Sequence, residues 1–429
     1  MKKYVYPSVD EFFYEHVFEN GLKIAILPKP GFSKTEVNLA VKFGSLHESV
    51  LLKNSLDPIT FPAGVAHFIE HLLFESDESN PTAAFARIGA SVNAYTTYDR
   101  TNYYFSTTNE PTLGIKLLIN MVLKTKFTKK SVEKESKIIT QEITMYEDDY
   151  EQLIYNDFMQ KLYQNHPIIR DIAGTVKSVS ETTYETLNQV YQLFYHPSNM
   201  VMVIVGDVDV EALIRLIESE LKQYPKRPSL IEKQLLKEDE FILNQSLEFK
   251  HKEISIPMLM MGVRLKLDAQ SSMQEQLLDD VKLSFLLTGA FGKGAKPYHD
   301  LMKKHLINDS FDYFESFEKT YGHIILFTET KKVESTRLAL TQLLHDVINE
   351  NPDALQFSLS KRKIIGEYLQ IFNNISHLAN SFLEYYLKDV NMFEFYQSLE
   401  AISYEDVLSI RDKINLSTLM TLVYLPKDD

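Results

Sequence analysis

The chain has 429 residues, 45 Lys+Arg against 59 Asp+Glu, a net charge of −14 and no cysteine. This length allows two or three domains, and 44% hydrophobic with 24% charged residues supports cores of ordinary size rather than a disordered chain. Without cysteine there is no disulfide, thiolate nucleophile, Cys-type zinc site or Cys-ligated iron–sulfur cluster, so any metal must be held by His, Asp or Glu.

The negative charge is spread evenly, with 23 basic and 29 acidic residues up to Leu230 and 22 and 30 after it. No basic stripe dominates, which argues against a nucleic-acid binder. The one dense basic cluster, residues 124–130, reads as a solvated helix end and loop. Residues 1–18 lack the continuous apolar stretch of a signal peptide, and nowhere do 18 apolar residues run together. No membrane span and a cytoplasmic location are the expectations.

In chain order, Asn20-Gly21 lies between Val17-Phe18 and an apolar run at 22–26, a hairpin signal because both turn residues tolerate positive φ. A strand pattern follows at 37–43. Residues 64–75 read as a helix whose nearly continuous apolar surface is interrupted by His67, Glu70 and His71. Residues 91–98 and 101–106 read as a strand pair rich in Tyr, Thr and Val. Helices are expected at 113–123, 132–150 and 181–194, the last with Thr182 and Glu185 as a capping box. After the break at His196-Pro197-Ser198-Asn199 come a buried strand at 200–205 and a helix at 210–221. Residues 222–237, with Pro225 and Pro228, read as a linker.

The end of the chain repeats this grammar. Ser403-Tyr404-Glu405 opens a helix before a strand at 419–425, as Thr183-Tyr184-Glu185 opens the helix before the strand at 200–205. The expectation is an α+β chain of two similar halves, 1–230 and 231–429.

The chemistry concentrates in His67-Phe68-Ile69-Glu70-His71, an H-x-x-E-H pattern. Four residues apart on a helix, His67 and His71 project from one face and can supply two ligands to a zinc ion. Glu70 lies on that face too, placed to act on zinc-bound water rather than to ligate; this is the inverzincin order. Three polar groups on so apolar a helix are costly without partners, and a metal supplies them. A hydrolytic zinc site needs a third protein ligand and an open position. The acidic helix after Val132 offers Glu135 and Glu142, seven apart on one face, with Ile138 and Ile139 between them marking that side as inward; spacing alone does not choose between the two glutamates.

These residues resemble the pitrilysin (insulinase-like) family of zinc metallopeptidases. The resemblance runs through Asn20-Gly21-Leu22, Phe43-Gly44-Ser45 with Glu48, Gly64-Val65-Ala66-His67-Phe68-Ile69-Glu70-His71, Asn93-Ala94-Tyr95-Thr96 and Thr101-Asn102-Tyr103-Tyr104-Phe105. It continues through the Glu135/Glu142 pair, His166-Pro167, Gly174-Thr175, and Tyr195-His196-Pro197-Ser198-Asn199-Met200 to Gly206-Asp207-Val208. It implies two homologous α/β-sandwich halves of the mitochondrial-processing-peptidase type, each a mostly antiparallel sheet with helices packed on it. It further implies one Zn2+ per chain on His67, His71 and Glu142, with Glu70 as general base and Glu135 as an acid that orients the site. Asn93, Ala94 and Tyr95 resemble the strand edge that pairs with an extended substrate peptide, a mode that reads main chain rather than side chains.

One departure stands out. Active members carry an Arg and a Tyr, seven apart, in the second half of a matched pair of domains. At those positions this sequence has Met302 and Asp309, with Lys303, Tyr298 and Tyr313 nearby but out of register. A shifted alignment would let Lys303 or Tyr313 substitute; otherwise the expected working form is a zinc-bearing subunit that pairs with a related subunit supplying Arg and Tyr, with a homodimer as the alternative assembly. A non-catalytic peptide-binding or scaffold subunit is the alternative, against which the intact His67, Glu70, His71 and Glu142 argue. A purely structural zinc site is a weaker reading, because such sites are closed and rich in Cys.

Overall fold

Among the described residues two large β-sheets, of seven and five strands, organise the chain, beside a small three-stranded sheet of Ser49–Leu52, Ile59–Thr60 and Ile231–Gln234. The structure, a computed structural model, describes residues 1–53, 55–74, 80–124, 127–146, 148–227, 229–236, 246–351 and 353–427. The chain divides into unit 1, Met1–Tyr146, Arg170–Lys237 and Gln370–Phe393, and unit 2, Glu147–Ile169, Glu238–Leu369 and Glu394–Asp429.

Unit 1 is built on strands β1 (Lys2–Tyr6), β2 (Glu11–Val17), β3 (Lys23–Pro28), β4 (Thr35–Val41), β5 (Ala90–Thr96), β6 (Thr101–Thr107) and β7 (Met200–Gly206), in the order β1-β2-β3-β7-β4-β6-β5. The β2–β3 hairpin turns at Asn20-Gly21 as the sequence predicts, with Gly21 at φ +95. The run Met200–Val205 is the parallel neighbour of β3 and is buried on both faces, which explains its lack of alternation.

One sheet face, through Ile24, Ile26, Val37, Leu39, Phe105 and Met202, packs on a layer of helices that includes α1 (Val65–Phe74), Thr112–Lys124, α2 (Lys129–Tyr146) and Val210–Leu221. The other face is covered over β4 and β7 by the helix Ile375–Leu387, where Phe382 meets Phe13 at 5.1 Å between ring centroids and Ser376 Oγ donates to Glu36 at 2.8 Å. Each buried Leu, Ile or Phe in such layers contributes about 1.5–3 kcal/mol.

Unit 2 is built on β8 (Ser246–Lys252), β9 (Met258–Leu265), β10 (Asp312–Phe317), β11 (Gly322–Glu329) and β12 (Ile414–Pro426), in the order β8-β12-β9-β11-β10. The β8–β12 pair is parallel and the others antiparallel. This is the order β3-β7-β4-β6-β5 of unit 1, strand for strand, so the internal repeat that is faint in the sequence is plain in the topology. The α3 (Met273–Phe291) and α4 (Ala354–Gln370) helices flank the hairpin of β10 and β11 along the chain, and α3 packs on β10. The expected repeat of helix openings is also present: Thr183 and Ser403 each cap a helix, accepting from Thr186 N and Asp406 N.

Three expectations change. The helix read over 132–150 ends at Tyr146, and a new helix Tyr150–Leu162 starts at Asp149, whose carboxylate accepts from the Glu151 and Gln152 amides. The helix read over 181–194 is two helices, Val176–Glu181 and Tyr184–Phe194; Thr182 donates its hydroxyl to Ser178 O, and Thr183 makes the cap. Contiguous spans 1–230 and 231–429 do not describe the packing of two helices: Tyr150–Leu162 lies on β9 and β12 of unit 2, and Ile375–Leu387 on β4 and β7 of unit 1. Pro and polar residues mark a linker in sequence, but they carry no record of which sheet a helix face fits. Within that linker Pro228 and Lys237 lie outside the described residues, as do Glu75 at the end of the α1 reading and residues 125 and 126 of the basic cluster. No helix among the described residues is long and apolar enough to cross a membrane.

Candidate metal centre

The α1 helix buries Val65, Ala66, Phe68, Ile69, Leu72 and Leu73 and turns His67, Glu70 and His71 to its remaining face. Its start is set by a close backbone approach. Gly64 has φ +88, and a Cβ there would lie 2.3 Å from Ala173 O; Gly174 has φ +82, and a Cβ there would lie 2.5 Å from Ala63 O. Two Ala-Gly pairs thus fit against each other only because both glycines lack a side chain and adopt left-handed φ.

The α2 helix opens with a reciprocal cap, Thr128 Oγ1 accepting from Ser131 N and Ser131 Oγ from Thr128 N. It buries Ser131, Val132, Glu135 and Ile139. Ile138, expected to face inward, is 40% exposed. Successive helix residues differ by about 100° in direction, so only one of two adjacent isoleucines shares the glutamate face.

Among the described residues, one group of His and carboxylate side chains has its ligand atoms within 4.8 Å of one another: His67, His71 and Glu142. His71 Nε2 lies 3.4 Å from Glu142 Oε2, and His67 Nε2 lies 4.0 Å from Glu142 Oε1. A tetrahedral ion with ligand bonds of about 2.0–2.2 Å spaces its ligand atoms by roughly 3.3–3.6 Å; the 3.4 Å pair has that spacing, the 4.0 Å pair is wider, and two imidazoles with one carboxylate are a donor set that zinc takes. On its other ring nitrogen His71 meets Glu135, Nδ1 to Oε2 at 3.2 Å, and Glu135 is 3% exposed. Tertiary packing therefore separates two glutamates that spacing could not: Glu142 joins His67 and His71 in the one group that could hold a metal ion among the described residues, and Glu135 meets the other ring nitrogen of His71.

The electrostatics agree with a cation at this place. Burial, helped by neighbouring His71, lowers His67 to about 4, so its imidazole is neutral at neutral pH. Burial also pulls His71 down, but the hydrogen bond to Glu135 and the charges of Glu142, Glu70 and Glu135 outweigh it and raise the group. The carboxylates thus favour a positive charge here, for which a proton and a metal ion compete. Burial raises Glu70, opposed by the hydroxyl of Thr96, which donates to Glu70 Oε2.

Asn93, Ala94 and Tyr95 lie on β5, which pairs with β6 on one side and is the end strand of its sheet. The same strand ends at Thr96, so the edge runs up to Glu70. Thr96 and the Gly64/Gly174 approach were not assigned from the sequence. Threonine ending a strand and glycine before a helix are the available signals, and both are too common to single out. Met302 and Tyr298 lie on the unit 2 helix Lys296–Lys303, Lys303 and Asp309 are exposed, and Tyr313 Oη lies 3.2 Å from Thr288 Oγ1. Among the other histidines, His323 is buried and His47 half-buried, His47 Nδ1 accepting from Gly44 N and His323 Nδ1 lying 3.0 Å from Tyr163 Oη.

Residues 23–176 match the profile of the insulinase family (peptidase family M16), and residues 181–391 match that of the peptidase M16 inactive domain. The chain is 33% identical over 430 residues to the zinc protease YmfH of Bacillus subtilis (strain 168), covering all of both chains. It is 30% identical over 202 residues to the zinc protease ML0855 of Mycobacterium leprae (strain TN), 46% of this chain and 43% of that protein. Among solved structures, an M16-like peptidase from Alicyclobacillus acidocaldarius superposes with a TM-score of 0.91 at 28% identity, covering 97% of this chain and 99% of that one. The periplasmic protease PqqL of Escherichia coli shares the fold at a TM-score of 0.78 and 18% identity, with 97% of this chain matching 48% of that one.

Proposed function

The chain belongs to the insulinase family (peptidase family M16), and on that premise we propose that it is a zinc-dependent endopeptidase, the zinc-bearing subunit of a two-subunit peptide-processing protease. The observation that carries this reading is the cluster of His67, His71 and Glu142 with a half-buried carboxylate, Glu70, one helical turn from His67 and adjacent to His71. His67, His71 and Glu142 would hold the ion. When bound, zinc supplies a Lewis acid that polarises a peptide carbonyl and brings the pKa of water towards neutrality.

The remaining roles fall to the chain's own side chains. Glu135, accepting from His71 Nδ1, keeps the ring turned so that Nε2 faces the ligand cluster. Glu70 accepts a proton at a carboxylate oxygen and returns it to the leaving amine; burial lifts its basicity, which suits this task. Thr96 holds the Glu70 carboxylate in place. The β5 edge, through Asn93, Ala94 and Tyr95, adds an extended peptide as a further strand and leads it to Glu70.

Two features favour a partner. Met302 and Asp309 stand where the family's Arg and Tyr are expected. The chain also matches about half the length of PqqL, so two such chains equal one of those in extent. The test is Glu70→Gln with zinc measured alongside peptide cleavage. Zinc retained at one per chain with hydrolysis abolished supports the reading, and hydrolysis surviving the substitution refutes the assigned base. Full peptidase activity of the purified chain alone would refute the requirement for a related partner. A zinc-loaded chain that cleaves nothing even with its partner would support the scaffold alternative.

A further inference from the structure

Because the unit 2 sheet repeats the strand order of unit 1, the elements that build the metal centre have counterparts there. In unit 1, α1 precedes the end strand β5, β5 forms a hairpin with β6, and α2 follows. In unit 2, α3 precedes the end strand β10, β10 forms a hairpin with β11, and α4 follows. The α3, β10 and α4 elements line a cleft of about 610 Å³.

The polar lining repeats the spacing of the metal centre with different side chains. Ser284 and Thr288 are four apart on α3, as His67 and His71 are on α1. Ser360 and Glu367 are seven apart on α4, as Glu135 and Glu142 are on α2. At the hairpin ends Thr96 pairs with Thr101 and Phe317 with Gly322; counting back from there, Glu315 stands in β10 where Ala94 stands in β5. The counterpart of the metal centre has no imidazole and carries a carboxylate on its strand.

Two observations give this cleft the character of a ligand site. Ser360 is 2% exposed and lines the cleft, yet its Oγ has no hydrogen-bond partner among the described residues, a state that costs about 1–3 kcal/mol. Glu315 is hydrogen-bonded by Ser284, and burial pushes its carboxyl above the ordinary range against the opposing pull of Lys363. Lys363 is itself 3.3 Å from Glu367, at the exposed side of α4. The apolar wall includes Phe291 and Tyr313, with ring centroids 5.8 Å apart. A serine hydroxyl, one inner carboxylate and no imidazole make a poor transition-metal donor set. They suit a primary ammonium, which has three N–H donors to distribute and gains from adjacent aromatic faces.

We infer that unit 2 carries at this cleft a binding site for a small alkylammonium ligand. Glu315 accepts the ammonium, Ser360 Oγ takes a second N–H, and the rings of Phe291 and Tyr313 pack the methylenes. A cavity of this size accommodates a small molecule. The site stands on the residues of unit 2 alone and holds whether or not the peptidase reading does.

The probe is 1,4-diaminobutane, titrated calorimetrically into the full chain at about 0.15 M salt to screen the net negative charge, with 1,4-butanediol as the uncharged comparison. The expected result is saturable one-to-one binding of the diamine and none of the diol. Glu315→Gln should weaken binding at least about tenfold and Ser360→Ala about three- to tenfold, in line with charge-assisted and neutral hydrogen bonds. Should Glu315→Gln fail to fold, Ser360→Ala and Ser284→Ala, which each remove one hydroxyl, carry the comparison. The inference is overturned by absence of saturation up to about 10 mM diamine, by equal binding of the diol, or by affinity that these substitutions leave unchanged. A second equivalent of zinc bound alone and lost in Glu315→Gln would also overturn it, by making the cleft a metal site.

Discussion

Substituting Gly64 with Ala tests the account of how α1 is positioned. Two costs add at this residue. Its φ of +88 is left-handed, which for a residue with a Cβ costs about 1–2 kcal/mol, offset by about 0.4–1 kcal/mol from the reduced freedom of the unfolded chain. The new Cβ would also lie 2.3 Å from Ala173 O and 3.0 Å from the Gly174 Cα, so two backbone segments must part by about 1 Å, for roughly 1–3 kcal/mol more. Gly31 provides the internal control: its φ is +84, yet a Cβ there meets nothing within 4 Å. Gly31→Ala therefore reports the φ cost alone, under about 1.5 kcal/mol, and Gly64→Ala the sum, about 2–4 kcal/mol. At about 2–4 °C per kcal/mol for a unit of this size, scanning calorimetry should show a drop on the order of 5–12 °C for Gly64→Ala against a few degrees for Gly31→Ala. Because His67 lies three residues further on, zinc affinity should fall with the first substitution and not with the second. Equal melting shifts for the two variants would refute the close approach.

Glu135→Gln should lower zinc affinity about 10- to 100-fold, read by chelator competition, because it replaces the charged partner of His71 Nδ1 with a neutral amide of the same shape; unchanged affinity would sink that role. Stability should decline as the pH falls below about 6.5. Burial lowers His47 to about 4 and His323 to about 3, so below 6.5 the unfolded chain binds protons that the folded chain refuses. Each group then takes up to about 1.4 kcal/mol per pH unit from stability, and none above 6.5, where both states are neutral. A melting temperature that is flat from about pH 7.5 to about pH 5, or a slope that His323→Gln does not reduce, would contradict this. Tyr195→Phe breaks the buried 2.9 Å bond to Tyr103 Oη beneath the α1 layer and should cost about 1–2 kcal/mol in a denaturant titration.

What the sequence alone determined is the chemistry that lives within one helix or one turn. The H-x-x-E-H spacing places His67, Glu70 and His71 on a common face because 3.6 residues make a turn, and Asn20-Gly21 turns because its residues accept positive φ. The uniformly apolar run at 200–205 has the length of a buried strand, and it is one, covered on both faces. The tertiary structure decided whatever depends on which surface meets which. Glu135 and Glu142 share a face of one helix, and only the packing of α1 against α2 brings Glu142 to the ring nitrogens of His67 and His71 and Glu135 to the far nitrogen of His71. The same holds for Thr96, which reaches Glu70 from a strand, and for Gly64, whose need for no side chain arises at Ala173. It holds for the helices Tyr150–Leu162 and Ile375–Leu387, each seated on a sheet drawn mostly from the other half of the chain. Periodicity reports that a helix has an apolar face; shape complementarity between surfaces distant in sequence chooses its partner.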